Sequence, residues 1–418
     1  MKNLIFVLCT IGVLNAQTSL KEFVEKNASE IKSIDITNND FSDLQQLGEA
    51  VGESRVVMLG EMWHGDGSTF EAKSRIVKYL HEKKGFNVLS FENDFYGTLK
   101  GYQKTLSGEM TFDSLVKYGV LVAWSKSQQC KPLFDYLKND TSIKLCGIDL
   151  QIMGPISQHE LKTDLQNFID KSGIPFTNSV FYKEHFWNRY NTSHKVFTST
   201  NWLNILNYSK ILMKEFSLAT DTILTQLKNL PNIESDLHHQ TLKSIQQLTE
   251  MFLNITSFSE SMTIRDKQMA SNLEWLIRYK YPSEKFIVWM ASSHLVKDSS
   301  NAYLKPYTEI PMGYFYTQNK TNPPAYLLAF TAHTGKGNFI NNSEYKIMKS
   351  KKGSLESQLN SLKKEYLFLP INKFSPNLES KFYWSKIDGG NNMQASWHTC
   401  VDGVIFIKTM KPSVMRVN

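Results

Sequence analysis

Apolar and polar positions along this chain change their period several times, and the sharpest change lies between Arg55 and Glu92. Val56-Val57-Met58-Leu59 is a short apolar run, rich in β-branched residues and stopped by Gly60, which predicts a buried strand. Glu61 and His64 follow at once, then Gly65 and Gly67. Ser68 reads as an N-cap with Glu71 three residues on as its capping-box partner. Phe70, Ile76, Val77 and Leu80 recur at helical spacing up to Gly85, and a second apolar run from Phe86 to Phe91 delivers Glu92. A strand–loop–helix–strand unit predicts two parallel strands with a right-handed crossover. Glu61, His64 and Glu92 should then emerge at the carboxyl ends of neighbouring strands, where open α/β sheets place their ligands.

The rest of the chain extends this pattern. Residues 17–54 read as amphipathic helices, and residues 95–140 as helices carrying Trp124. A strand from Ile143 to Ile148 brings Asp149 to the same rim. From Pro155 to about Ser261 only helical periodicity appears, as in Leu203, Ile205, Leu206, Ile211, Leu212, Phe216 and Leu218. Aromatic residues are frequent there (Phe181, Tyr182, Phe186, Trp187, Tyr190, Trp202) and either pack the helices or cap an apolar substrate. A helix from about Ile264 to Lys280 precedes a strand, Phe286 to Met290, that ends in Ala291-Ser292-Ser293-His294. Further strands are expected at Ala325–Phe330, Tyr366–Leu369 and Val404–Ile407. The alternation predicts an α/β fold, a mostly parallel sheet flanked by helices, with residues 17–153 and 262–418 as its core and 154–261 as a helical insertion.

Composition narrows the class without identifying it. A net charge of +7 over 418 residues, with lysines scattered from Lys346 to Lys364 and no arginine stripe, argues for a solvated surface and against nucleic-acid binding. Lys2, the apolar stretch Leu4–Leu14 and Leu14-Asn15-Ala16 have the form of a signal peptide over residues 1–16, which predicts export to the periplasm or medium. No later stretch approaches the roughly 20 apolar residues of a spanning helix, so stable membrane insertion is not expected. Cys130, Cys146 and Cys400 would remain after cleavage; their odd number argues against a disulfide framework, and Cys146, inside an apolar strand, reads as a buried thiol.

The order of motifs resembles the erythromycin esterase family. Gly60-Glu61-Met62-Trp63-His64 matches its G-E-x-x-H, Lys73 its basic residue nine positions after the histidine, and Glu92 its strand-ending glutamate. Gly147 to Gln151, Arg265-Asp266 with Met269 and Asn272, and Val288-Trp289 through His294 extend the resemblance over roughly residues 50–300. Val401 to Thr409 extends it weakly. The resemblance implies hydrolysis of an ester or macrolide lactone. One departure stands out: family members usually show W-A-H-N-x-H near the fourth strand, and here Ala291 occupies the place of the first histidine. That bears on the identity of the substrate more than on hydrolase chemistry.

The residues themselves support a compatible chemistry. An ester carbonyl attacked by water needs a proton acceptor and a group that stabilises the oxyanion. His64 has the intrinsic pKa of the former, and a neighbouring carboxylate, Glu61 or Glu92, would orient its ring. His294 is a candidate for substrate orientation or shared proton transfer. Lys73, Arg265 and Asp149 are candidates for substrate binding, with the two cations also placed to stabilise an oxyanion. No G-x-S-x-G elbow, P-loop or GxGxxG is present. The expected enzyme is a cofactor-free carboxylic ester hydrolase acting on a small-molecule ester or lactone. Glu61, His64, Glu92 and His294 also offer donors for a divalent metal, and the G-E-x-x-H opening is shared with related haem-binding and metalloprotease-like families, so a metal-dependent hydrolase or peptidase is a second reading. An exported binding protein that keeps the fold without turnover is a third.

Overall fold

The protein is described by a computed structural model that covers residues 19–199, 208–298, 308–341, 343–376 and 381–416. The expected signal segment, and Trp202, Leu203, Ile205 and Leu206, lie outside these described residues. The strands are β1 (Ser29–Glu30), β2 (Val56–Glu61), β3 (Phe86–Asp94), β4 (Lys144–Asp149), β5 (Lys285–Ala291), β6 (Ala325–Asn338), β7 (Glu344–Lys346), β8 (Tyr366–Leu369), β9 (Tyr383–Ser385), β10 (Met393–Ala395) and β11 (Gly403–Met410). Nine of them make one sheet in the order β1-β8-β11-β6-β2-β5-β3-β4, with β7 attached to β6. The six strands from β11 to β4 run parallel, and β8 joins their edge antiparallel.

A parallel sheet is covered on both faces, which is why its strands read as unbroken apolar runs. Successive residues still alternate between two cores. Val56 and Met58 face a core shared with the helices of residues 155–277, whereas Val57 and Leu59 face one built with Phe70, Ile76 and Leu80. Glu61 is the last residue of β2 and is fully buried at the rim.

Three local expectations need correction. β2 and β3 are not direct neighbours, because β5 lies between them and pairs with both. The strand expected to end at Phe91 runs on to Asp94, and its register shifts past Phe91 so that Glu92 still reaches the rim. The Gly67–Lys84 helix begins two residues early, with Asp66 at its N-cap and no side-chain cap. Ser68 does not cap it. Its hydroxyl accepts from Lys411 N at 3.0 Å and its own N–H donates to the Lys411 carbonyl, so the segment after β11 has captured the expected cap.

Between β4 and β5 the described residues hold helices and helical turns, among them Pro155–Ser172, Lys210–Leu227, Leu237–Leu253 and Phe258–Trp275. Tyr182, Phe186 and Tyr190 are buried around Phe216, with ring centroids 5.4 Å apart for Phe186–Phe216 and 5.9 Å for Tyr190–Phe216. These rings pack helix against helix. Cys130, Cys146 and Cys400 are all buried and free. No helix among the described residues is long and apolar enough to cross a membrane.

Candidate active site

The carboxyl ends of β2, β5, β3 and β4 converge on a cleft of about 470 Å³. Its lining includes Trp63, His64, Glu92, Arg265, Asp266, Ala291 and His294. Two linked charge clusters reach from its wall into the protein behind it.

The first is centred on Glu61. Its Oε1 accepts from His64 Nδ1 at 3.0 Å and from the Trp124 indole N–H at 3.3 Å, and its Oε2 is in contact with Lys73 Nζ. Lys73 also donates to the carbonyls of Leu59 (2.7 Å) and Met290 (3.0 Å). Burial pulls the Lys73 ammonium well below the usual lysine range, with the Glu92 charge opposing it. Three acceptors around three N–H donors, one of them a carboxylate, nevertheless fit the charged form, and we assign a buried ion pair. Lys73 is fully buried behind Glu61 and does not line the cleft, so the expectation that it binds substrate is replaced by an anchoring position.

His64 stands on the loop between β2 and the Gly67–Lys84 helix. With Nδ1–H donating to Glu61, the neutral form of the ring carries its lone pair on Nε2. That nitrogen faces Glu92 Oε1 across 3.8 Å, and the ring is about one-third exposed to the cleft. The loop is held from the far side: Gly65 accepts from Asn338 N (3.1 Å) and Ser413 N (2.9 Å), and Asp66 accepts from Tyr345 Oη (2.5 Å) and Trp63 N (3.1 Å). A Cβ on Gly65 would lie 1.6 Å from the Asn338 carbonyl oxygen, so only glycine permits this approach. Burial pushes the Asp66 carboxyl up to about 7 against the lowering effect of its two hydrogen bonds and of His64.

The second cluster surrounds Glu92. Oε2 accepts from Ala291 N at 2.8 Å; Oε1 accepts from Arg265 Nη2 at 2.9 Å and lies 3.1 Å from His294 Nε2. Burial raises this carboxyl, but His294 and His64 outweigh it and hold Glu92 well below the usual range. Asp149, at the end of β4, grips Arg265 from behind, with Nη2–Oδ2 at 2.6 Å and Nε within 3.3 Å of both oxygens. Asp149 is fully buried and absent from the cleft wall, so the expectation that it binds substrate gives way to an anchoring position behind Arg265. His294 follows β5 and touches Asp266 through Nδ1. Burial opposes its charge, yet Asp266 and Glu92 outweigh that and push its pKa up to about 10.

The sequence pattern of the erythromycin esterase family matches residues 81–410, a span that contains Glu92, Asp149, Arg265 and His294. This chain belongs to that family. It is 25% identical over 432 residues to the Bacillus subtilis protein named "Putative hydrolase YbfO", covering 94% of this chain and 91% of the relative. It is 22% identical over 300 residues to erythromycin esterase type I of Escherichia coli, covering 66% and 70% of the two chains. Among solved structures, that of an erythromycin esterase mutant in its open conformation superposes with a TM-score of 0.70 at 14% identity, covering 92% of this chain and 97% of the other. The α/β fold is therefore the family's, and membership supports a hydrolase.

Within this erythromycin esterase family site, the donors weighed for a metal are already engaged. Glu61 is paired with Lys73, and Glu92 with Arg265 and His294. Two buried cations, Lys73 and Arg265, paired to two of the four candidate ligands do not fit a divalent ion. Among the described residues, no group of three or more His, Cys, Asp or Glu side chains could hold one. Sequence reasoning missed the contributions of Trp124 to Glu61, Tyr345 to Asp66 and the Ala291 N–H to Glu92. Trp124 and Tyr345 come from segments 63 and 279 residues away, and no local pattern announces them. Asp266, directly after Arg265, was within reach: two oppositely charged neighbours on a helix facing a strand-end histidine signal a pairing.

Proposed function

We propose that this chain is an exported hydrolase that cleaves a carboxylic ester with water activated by His64. One observation carries the reading. His64 lines the cleft with its Nε2 turned inward, and because Nδ1–H donates to Glu61, which Lys73 anchors, the neutral ring carries its lone pair on that nitrogen. Water bound at Nε2 gives up its proton as its oxygen attacks the carbonyl. The resulting imidazolium is stabilised on one side by Glu61 and on the other by Glu92, only 3.8 Å away. Arg265, locked by Asp149 and Glu92, supplies positive charge for the oxygen that becomes negative. The Nε2–H of the imidazolium then returns the proton to the departing alcohol, leaving a carboxylic acid.

His64→Ala removes the proton acceptor and is expected to cut turnover of an aryl ester by about 10²–10⁴-fold, with a much smaller change in substrate binding. Full turnover in that variant, with or without a chelator, would show that His64 is not the base. Wild type that binds esters and never releases acid would point to a binding protein. Export rests on Lys2, the apolar stretch to Leu14 and Ala16. Intact-mass analysis of the expressed protein is expected to show a mature chain starting at or near Gln17, and an uncut chain retained inside the cell would refute it.

A further inference from the structure

Trp63 stands directly before His64, and its indole lines the cleft while remaining 42% exposed. The residue is clamped. Its backbone N–H donates to Asp66 Oδ2 at 3.1 Å, and the other oxygen of that carboxylate accepts from Tyr345 Oη, whose ring lies 6.0 Å from the indole. Phe339 meets the indole at 6.3 Å with the ring planes at 82°. From the β9–β10 loop, Gly390 at φ +67° brings its backbone against the indole: a Cβ there would stand 2.6 Å from Nε1. A tryptophan held this firmly and still exposed is a preorganised apolar surface. Half-exposed Phe339 and Ile340 extend it outward along the turn after β6, and Met62, Ala291 and Met393 extend it inward along the cleft. An apolar strip that runs from a cleft to the surface marks where an apolar part of a ligand lies.

We propose that Trp63 is a specificity-determining residue that stacks a flat apolar ring carried by the alcohol arm of the ester. The assignment to the alcohol arm rests on the hydrolytic reading of the same cleft; the ring site itself does not. The order of proton transfers selects the arm. The departing oxygen must reach His64 Nε2 to collect its proton, while the carbonyl oxygen turns toward Arg265. The alcohol arm therefore leaves the reacting carbon on the His64 side, where Trp63 stands. Phe258 and Met262 are the competing apolar contact in the lining, but they belong to the helix that carries Arg265 and would serve an acyl arm. Much of the remaining wall is charged, with Glu92, Arg265, Asp266 and Glu309, and an apolar ring would desolvate those groups at a cost.

Two measurements on the full chain test this. The first compares kcat/KM for acid release within two matched ester pairs: 2-phenylethyl acetate against ethyl acetate, and ethyl 3-phenylpropanoate against ethyl propanoate. Each pair differs by one phenyl ring set two carbons from the ester group, on the alcohol arm in the first pair and on the acyl arm in the second. Wild type should favour the ring in the alcohol pair by about tenfold or more. In Trp63→Leu that ratio should fall to about threefold or less, while Trp63→Phe keeps most of it. Each ratio is taken within one preparation, so any loss of folded protein cancels. The second measurement reads the site without turnover: saturation-transfer NMR of 2-phenylethyl acetate on His64→Ala should light up the ring protons, and adding Trp63→Leu should remove most of that signal. A wild-type ratio near one, a ratio that Trp63→Leu leaves unchanged, or a ring preference found in the acyl pair in place of the alcohol pair overturns the proposal. If the NMR result holds and no ester is cleaved, the ring site stands, and the hydrolytic reading fails together with the alcohol-arm assignment. If both pairs are cleaved with no ring preference, hydrolysis stands and the ring site fails.

Discussion

A buried charge is tolerated only where a partner of opposite sign meets it, and at this site each pairing also does a chemical task. Lys73 and Glu61 are both fully buried and in contact. Replacing Lys73 with Met would leave Glu61 desolvated beside His64. Breaking such a pair costs about 3–5 kcal/mol. We expect Lys73→Met to lower the urea midpoint strongly and to take activity with it, because an unanchored Glu61 draws its proton from His64 or solvent. Adding Glu61→Gln to that variant should restore much of the stability and none of the turnover. Equal stability of the single and double variants would show that the two groups do not form an ion pair. Lys73 was legible in the sequence as a cation near Glu61. Its burial was not, because that depends on β2 and β5 lying side by side and on the carbonyls of Leu59 and Met290 turning toward Nζ.

Strands and helices set where such residues can stand. The run Val56–Leu59, the helical spacing after Gly67 and the stop at Gly85 are local facts, so β2 and its helix could be read directly. Pairing order is a non-local fact. The insertion of β5 between β2 and β3 depends on contacts more than 190 residues apart in sequence, and only a carboxylate–histidine coincidence at three strand ends hints at it. The start of the Gly67 helix differs from the local pattern for the same reason, since Ser68 is engaged by Lys411 in the chain after β11. That long-range clamp makes the His64 loop rigid. Gly65→Ala, whose methyl would collide with the Asn338 carbonyl, is therefore expected to cost roughly 1–3 kcal/mol and to reduce turnover more than a comparably destabilising change elsewhere. The contrast is Phe216→Ala, outside the cleft lining in the helical aromatic cluster. It should cost about 3–5 kcal/mol in stability and leave turnover per folded molecule unchanged. A large loss of substrate affinity there would mean that the aromatic helices touch substrate after all.

At the scale of the whole molecule, the titrating groups give stability a direction with pH. Burial lifts Asp66 to about 7 and Asp94 to about 6, so the folded state keeps protons that unfolded carboxylates release near pH 4, and stability falls as pH rises through that interval. Glu92 acts oppositely. Its folded pKa is depressed, so its contribution is present above the unfolded value and is lost as pH falls through the folded one. His294 governs the region above neutrality. Its folded pKa of about 10 exceeds the unfolded value of about 6.5, so its contribution is complete below 6.5 and is lost progressively up to 10. Between pH 6 and 8.5 that loss amounts to about 2.5 kcal/mol. The buried thiols of Cys130 and Cys146, pushed up to about 12 by burial, add to the decline only above about pH 8.5, where unfolded thiols ionise. Urea unfolding at pH 6, 7.25 and 8.5 separates the histidine from Asp66. Wild type should lose stability steadily across the three, and His294→Gln should start lower and keep only the shallower decline of Asp66, most of it complete by the middle point. A flat wild-type profile would mean that the imidazolium is not held by its carboxylates, and that the two charge clusters at the strand ends are not ionised as their geometry requires.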